Sequence, residues 1–243
     1  PDNFHAEDVI EKIKNPKLKP LTAKEKFSKV YTKNDYLADL DQLGQKLVTI
    51  HPQALKFISK DQFWKNIENK KSLITEKTTY GEFAWHCKAI IASIGCSHTS
   101  SSTMQNAYHE YAILPIENSF PLQIRWINNQ LYVVHPLKNS DKVKAKDEIL
   151  SINGIETSKI MTDIFEHIPA QANIQTYKTQ HFNTYFASLI AYSLGLPKSY
   201  EITIKDKAGS VKLNKAEKMA TELYDPSINS CLKDLCLEFS NEK

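Results

Sequence analysis

The sequence predicts an α+β fold, in which an N-terminal helical domain precedes a β-containing domain. Over about the first 95 residues, apolar side chains recur every three or four positions, which is the period of an amphipathic helix. From about residue 115 onward, apolar and polar residues alternate, which is the period of a β-strand. The chain has 243 residues and is 41% hydrophobic, enough for two domains of ordinary size.

Four helices are predicted in the N-terminal domain, residues 1–114. The first follows a capping-box pattern from Thr22 to Glu25. The second ends before His51-Pro52 and carries an apolar stripe made of Leu37, Leu40, Leu43, Leu47 and Ile50. Ser59 caps the third helix, and Thr79-Tyr80-Gly81-Glu82 caps the fourth, which Gly95 ends in a left-handed conformation. These lengths and spacings are typical of a helical bundle.

Strands and two further helices are predicted in residues 115–214. A hairpin turns at Asn128-Asn129, and a third strand, Glu148–Ile152, ends at an Asn153-Gly154 turn. We expect a helix capped by Ser158, a second helix from His181 to Leu194, and a final hairpin beyond Tyr200. Residues 215–243 are interpreted as a linker followed by the first strand of another domain.

Composition and charge exclude several classes of function. The 31 basic and 28 acidic residues are interspersed and give a net charge of +3, so nothing favours nucleic-acid binding. No apolar run reaches the ~18 residues of a membrane-spanning helix. The cysteines at 87, 96, 231 and 236 lack zinc-site spacing, and we expect no metal or other cofactor. Free thiols are favoured, although pairing of the first two or the last two cysteines stays open.

The segment Ile94-Gly95-Cys96-Ser97-His98-Thr99 places a Ser-His pair just after a predicted helix end. The partial negative charge at a helix C-terminus favours the protonated imidazole and so raises its basicity. His98 therefore has the character of a general base. The alternative interpretation, that His98 is only a polar residue at the end of the helix, fits the same spacing.

A second segment, Val143 to Ile155, resembles the part of PDZ domains where a strand reading Asp-Glu-Ile-Leu meets an Asn-Gly turn. Lys146 stands where those domains usually have glycine. Together with the Ser97-His98 turn and the helix from Tyr36 to Ile50, it resembles the C-terminal-processing, or tail-specific, serine peptidases. The similarity is greatest to the subgroup with a tricorn-core-like active site.

The resemblance implies a PDZ-like β-sandwich with an inserted helix for residues 115–214, and it assigns catalytic roles. His98 becomes the general base and Ser97 an assisting hydroxyl, while a serine nucleophile comes from a later domain that this chain does not contain. The chain alone is then expected to be inactive. The family also implies polypeptide substrates and an exported, periplasmic or cell-envelope protein.

A PDZ-like domain binds an extended peptide as an added strand at a sheet edge. The candidate peptide-binding residues are Phe120, Leu122 and Ile124 on the edge strand and Ile164 on the facing helix. Pro121 lacks an N–H group, and a groove filled by the chain itself is an equal expectation. The alternative function is a non-catalytic PDZ-like peptide-binding module or tether.

Overall fold

The computed structural model describes residues 22–101 and 118–215. These residues form six α-helices and an antiparallel sheet of six strands, so the α+β class is confirmed. The predicted domain boundary at 114/115, nearly all of the predicted linker 215–243, and Cys231 with Cys236 lie outside the described residues. The helices are α1 (Ala23–Ser28), α2 (Lys33–Ile50), α3 (Lys60–Ser72), α4 (Tyr80–Ser93), α5 (Thr157–Glu166) and α6 (Gln175–Ser193).

The N-terminal helices begin at the residues that their caps predict. Reciprocal hydrogen bonds join Thr22 to Glu25 at the start of α1 and Thr79 to Glu82 at the start of α4. The Ser59 hydroxyl accepts a hydrogen bond from a backbone N–H in the first turn of α3. Capping depends on residues three positions apart, so the local sequence is sufficient to place these helix starts.

Helices α2, α3 and α4 enclose the first hydrophobic core. Tyr36 of α2 stacks on Phe83 of α4 with ring centroids 4.3 Å apart, and Phe63 and Ile67 of α3 are fully buried beside them. Gly44 lets α2 approach α3 closely, because a Cβ atom there would overlap the Ile67 side chain. The helices therefore pack tightly on one another.

The strands are β1 (Gln123–Ile127), β2 (Gln130–His135), β3 (Glu148–Ile152), β4 (Ile155–Glu156), β5 (Glu201–Ile204) and β6 (Ser210–Lys212). They lie in the order β1-β2-β3-β5-β6, and β4 pairs with β3. Asn128 and Asn129, with φ of 49° and 62°, connect β1 to β2 in a two-residue turn as predicted. Strand β1 thus lies at one edge of the sheet.

Two helix starts differ from the prediction. Ser158 does not cap α5, which begins at Thr157 without a side-chain cap. Helix α6 begins at Gln175, six residues before the predicted His181, and its backbone is irregular at Tyr185, where φ is −118°. Polar residues fill the first turns of α6, so tertiary contacts rather than an apolar period determine where it begins.

A second core joins the helical segment to the sheet. It contains inward-facing residues of the strands, α5 and α6, together with Phe27 of α1 and Trp85 of α4. Both of those rings stack on Tyr192 of α6, with centroid separations of 6.1 Å and 5.8 Å. Helices α1 and α4 are therefore part of the packing that supports α6.

None of the described helices is both long and apolar enough to cross a membrane. Cys87 and Cys96 are free thiols, which confirms the favoured expectation for this pair. Within residues 22–101 and 118–215, no cluster of three or more histidine, cysteine or acidic side chains is arranged to hold a metal ion.

Candidate functional site

The Ser97-His98 pair lies in a turn directly after α4. Gly95 adopts φ of 67°, the left-handed conformation that ends a helix, as predicted. The backbone N–H of Thr99 donates to the carbonyl of Cys96 at 3.3 Å and closes the turn. His98 is exposed and Ser97 is half-buried. The imidazole can therefore meet a substrate or another part of the protein.

Two neighbouring segments hold this turn. The N–H of Ala172, just before α6, donates to the Gly95 carbonyl at 3.0 Å. On the other side, a Cβ atom at position 95 would lie 3.1 Å from the Phe57 Cβ atom. Among the described residues, His98 itself makes no hydrogen bond or ion pair, so no orienting group for its ring is present in that part of the chain.

A cleft of about 490 Å³ opens beside this turn, between α3, α4, α5 and the start of α6. Phe57, which packs against Gly95, is also part of the cleft wall, as is Asn173, the neighbour of Ala172. The cleft volume falls in the range of about 300–1,000 Å³ that is usual for ligand sites. Ile58 and Ile90 add to its apolar wall.

Within the described part of the chain, three charged side chains line the cleft. Lys178 is only 7% exposed, and its Nζ donates to the Phe165 carbonyl at 2.7 Å. Burial lowers the pKa of Lys178. Lys70 also lines the cleft, and its Nζ lies 3.8 Å from a carboxylate oxygen of Glu166, whose side chain is 61% exposed. The deeper part of the cleft therefore contains more positive than negative charge.

A buried basic cluster lies next to the cleft. His167 is 1% exposed and stacks on Trp85, with ring centroids 3.8 Å apart and planes inclined by 8°. His167 Nδ1 lies 2.7 Å from the Asp163 carbonyl oxygen, and it must carry the proton because a carbonyl only accepts. Nε2 is buried with no partner in the described residues. Burial, together with Lys70 and Lys88, therefore lowers the pKa of His167 to about 3.

Other groups of the cluster show the same effect of desolvation. Burial lowers the pKa of His86 and of His181 to about 4 in each case. Lys88 on α4 is 4% exposed, and burial lowers its pKa to about 8. Burial also raises the pKa of Asp163, although hydrogen bonds from Ser193 and Trp85 oppose that shift. The imidazoles of this cluster are therefore neutral at pH 7.

All four predicted peptide-binding side chains, Phe120, Leu122, Ile124 and Ile164, are fully buried in the second core. Strand β1 packs against α6, whereas the expected neighbour, α5, packs against β2, β3 and β4. The structure thus places these residues together, but beneath the surface.

Asn183 of α6 covers the outer edge of β1. The Trp126 N–H donates to its Oδ1 at 2.8 Å, and its Nδ2 donates to the Trp126 carbonyl at 3.2 Å. A few residues earlier, the Phe120 N–H donates to the Ala187 carbonyl of α6 at 3.1 Å. One side-chain amide thus forms the pair of hydrogen bonds that an added strand would form.

Sequence reasoning missed the basic residues around the cleft. Lys88 follows Trp85 and precedes Ala92 at helical spacing, so the apolar face of α4 was a signal for its burial that the sequence prediction did not use. No sequence pattern indicates the burial of His167 and Lys178, because the exposure of these two side chains depends on how α5 and α6 pack against α3 and α4.

Comparisons with known proteins give little similarity. No family model matches the chain, and no curated protein matches it. A crystal structure of a cpaf mutant is a distant structural neighbour, with 13% sequence identity and a TM-score of 0.43. The match covers 76% of this chain and 34% of that one, so this chain spans about a third of its length. A similarity at this level carries no argument about function.

Proposed function

We propose that this chain is the substrate-recognition and base-supplying portion of a serine endopeptidase of the C-terminal-processing family. The observation that carries the proposal is the exposed Ser97-His98 turn beside the cleft, with the residue pattern that resembles the family. The serine nucleophile is supplied by a segment outside residues 1–243. Without it, the chain alone hydrolyses no peptide.

The reaction assigned to the site is acyl transfer. His98 accepts the proton of the serine hydroxyl as the serine oxygen attacks the peptide carbonyl carbon. The proton then passes to the leaving amine as the C–N bond breaks, which leaves an acyl ester on the serine. Water, deprotonated by His98, attacks the ester carbon, the bond to the serine oxygen breaks, and His98 returns the proton to that oxygen. The Ser97 hydroxyl assists as a hydrogen-bonding neighbour.

The proposed protein has three consecutive parts and lies outside the cytoplasm. Residues 1–114 form the helical domain, residues 115–214 the PDZ-like domain with an inserted helix, and residues 215–243 lead into the nucleophile domain. Lys146, at the position where PDZ domains usually have glycine, has φ of 74°, a conformation that glycine adopts readily. Substrates are extended polypeptides, and the protein acts outside the cytoplasm.

The test is hydrolysis of fluorogenic peptides by a form of the protein that continues beyond residue 243, beside the chain 1–243. We expect only the longer form to be active and His98→Ala to lower its kcat at least ~100-fold, the usual contribution of a general base. His135→Ala, which removes another exposed histidine, is the control and should leave kcat unchanged. Equal activity of the longer form with and without His98 would overturn the assignment.

The second candidate, a non-catalytic peptide-binding module, requires the Asn183 side chain to leave the edge of β1. The Asn183 amide occupies the edge of β1, where Phe120, Leu122, Ile124 and the more distant Ile164 were predicted to accept a peptide. For such a module, Asn183→Ala should free the Trp126 N–H and carbonyl and strengthen binding of an extended peptide to residues 1–243. Unchanged or weaker peptide binding by the variant would reject this candidate.

A further inference from the structure

The cleft beside the Ser97-His98 turn contains a nearly buried ammonium group without an anionic partner. Lys178 is 7% exposed, and its Nζ has one hydrogen bond, to the Phe165 carbonyl. Among the described residues, no carboxylate lies within 4 Å of this nitrogen, and Glu166 acts on it only from a greater distance. Since an ammonium group has three donors, two of them are available to a ligand.

Burying a charge without a partner is energetically unfavourable, so such a group is retained where something compensates it. Lys178 is one of the residues that line the cleft, so its ammonium group lies within reach of a ligand that enters. Lys70 also lines the cleft, and its side chain is 20% exposed. Its distance of 3.8 Å from Glu166 is long for a charge-assisted hydrogen bond.

The charges in the cleft favour a monoanion. Among the described residues of the cleft wall, Lys70 and Lys178 contribute two positive charges and Glu166 one negative charge, which leaves one positive charge to be neutralised. A carboxylate carries one negative charge, whereas a phosphate monoester carries nearly two at neutral pH. None of the described residues that line the cleft is an arginine, the residue whose planar fork is best suited to phosphate.

The remaining wall has two kinds of surface. The side-chain carboxamides of Asn69 and Asn173 form no hydrogen bond with another described residue. Their N–H groups can therefore donate to a carboxylate oxygen. Phe57, Ile58 and Ile90 provide apolar surface, and Phe57 is 36% exposed. An apolar group attached to the carboxylate would cover this surface.

We propose that this cleft is a binding site for an apolar monocarboxylate, with Lys178 as the anion-binding residue and Lys70 in support. The carboxylate can belong to a free branched-chain acid or to the C-terminal residue of a peptide that ends in a leucine-like side chain. The proposal does not depend on peptidase activity, because the site lies entirely within the described residues.

The test is calorimetric titration of residues 1–243 with 4-methylpentanoate and, separately, with a short peptide ending in leucine. Each ligand is paired with its neutral carboxamide, which keeps the apolar group and removes the charge. We expect at least one of the two carboxylates to bind at least ~10-fold more tightly than its amide. A peptide preference identifies the polypeptide source, and a preference for the free acid identifies a small metabolite-like ligand.

Two substitutions test the roles of the lysines. Lys178→Met keeps an unbranched side chain without its charge and should weaken carboxylate binding at least ~10-fold, with a smaller loss for Lys70→Met. Lys144→Met, at an exposed loop position, is the matched control and should bind like the wild type. Lys178→Met also removes the donor to the Phe165 carbonyl, so circular dichroism verifies that the variant is folded before it is titrated.

Equal binding of carboxylates and amides would overturn the proposal, whether or not the variants fold. Wild-type carboxylate affinity in a folded Lys178→Met variant would also overturn it. Inorganic phosphate binding as tightly as the carboxylates would overturn the assigned ligand class.

Discussion

Acidification should destabilise this protein through His167. The imidazole is buried against Trp85, its Nδ1–H donates to the Asp163 carbonyl, and its Nε2 has no acceptor among the described residues. A second proton would therefore be placed in a desolvated position near Lys70 and Lys88. Burial, together with Lys70 and Lys88, lowers the pKa of His167 from 6.5 to about 3 in the folded state, although the hydrogen bond to the Asp163 carbonyl opposes this shift.

The direction in which stability changes with pH follows from which state, folded or unfolded, binds the proton. Between pH 6.5 and about 3, the unfolded chain protonates His167 and the folded chain does not. The stabilising contribution of the neutral ring is therefore fully present above pH 6.5 and is lost as the pH falls. At pH 5, the loss from this one residue is about 2 kcal/mol in the free energy of unfolding. The lowered pKa values of His86 and His181 act in the same direction.

The perturbation that isolates this effect is His167→Phe, which keeps an aromatic ring on Trp85 but cannot be protonated. The assay is urea unfolding at pH 7 and pH 5, followed by circular dichroism. The difference in unfolding free energy between the two pH values should be about 2 kcal/mol smaller in the variant than in the wild type. His135→Phe, at an exposed position, should behave like the wild type. If His167→Phe showed the full pH dependence of the wild type, the argument for a buried neutral imidazole would be refuted.

Three further changes should alter stability in urea or thermal unfolding. Gly81→Ala should destabilise the protein by about 1–3 kcal/mol, because the added methyl group would overlap the Phe27 ring; a wild-type midpoint would contradict this close packing. Thr79→Ala should cost about 1 kcal/mol, since it removes the hydroxyl that accepts from the Glu82 N–H; an unchanged midpoint would show that the cap contributes nothing. Lys146→Gly should stabilise by up to about 1 kcal/mol, because φ of 74° is unfavourable for lysine and open to glycine; a clear loss of stability would contradict the left-handed conformation.

Local sequence patterns were sufficient to predict much of the fold. The caps at Thr22, Ser59 and Thr79, the left-handed Gly95, and the Asn128-Asn129 turn all act through residues two to four positions apart. The sequence therefore predicted the N-terminal helices and the first hairpin, with the starts of α1, α3 and α4 at the right residues.

Features that depend on tertiary contacts were predicted poorly. Helix α6 begins at Gln175, where no apolar period marks it, and Lys178 in its first turns is held by the Phe165 carbonyl. The pairing of β1 with α6 rather than α5 has the same origin, since the Asn183 amide bonds to the Trp126 backbone 57 residues away. Such contacts cannot be read from a single sequence, because they are determined by how distant segments meet.

The candidate site was predicted in part. The position of His98 after a helix end was predicted from the Gly95 turn, and the structure places it there, exposed. The neighbouring cleft was not predicted, because Phe57, Lys70, Glu166 and Lys178 come from four separate segments. Its charged groups become one site only when α3, α5 and α6 pack together.

The most direct test of the proposed function is the reaction of a fluorophosphonate probe with a form of the protein that continues beyond residue 243. The probe labels a serine whose hydroxyl is activated by a base, so the account predicts one labelled serine outside residues 1–243. The labelling rate should fall at least ~100-fold in His98→Ala and stay unchanged in His135→Ala. Labelling that is absent, or that proceeds equally fast without His98, would contradict the assignment of His98 as the general base.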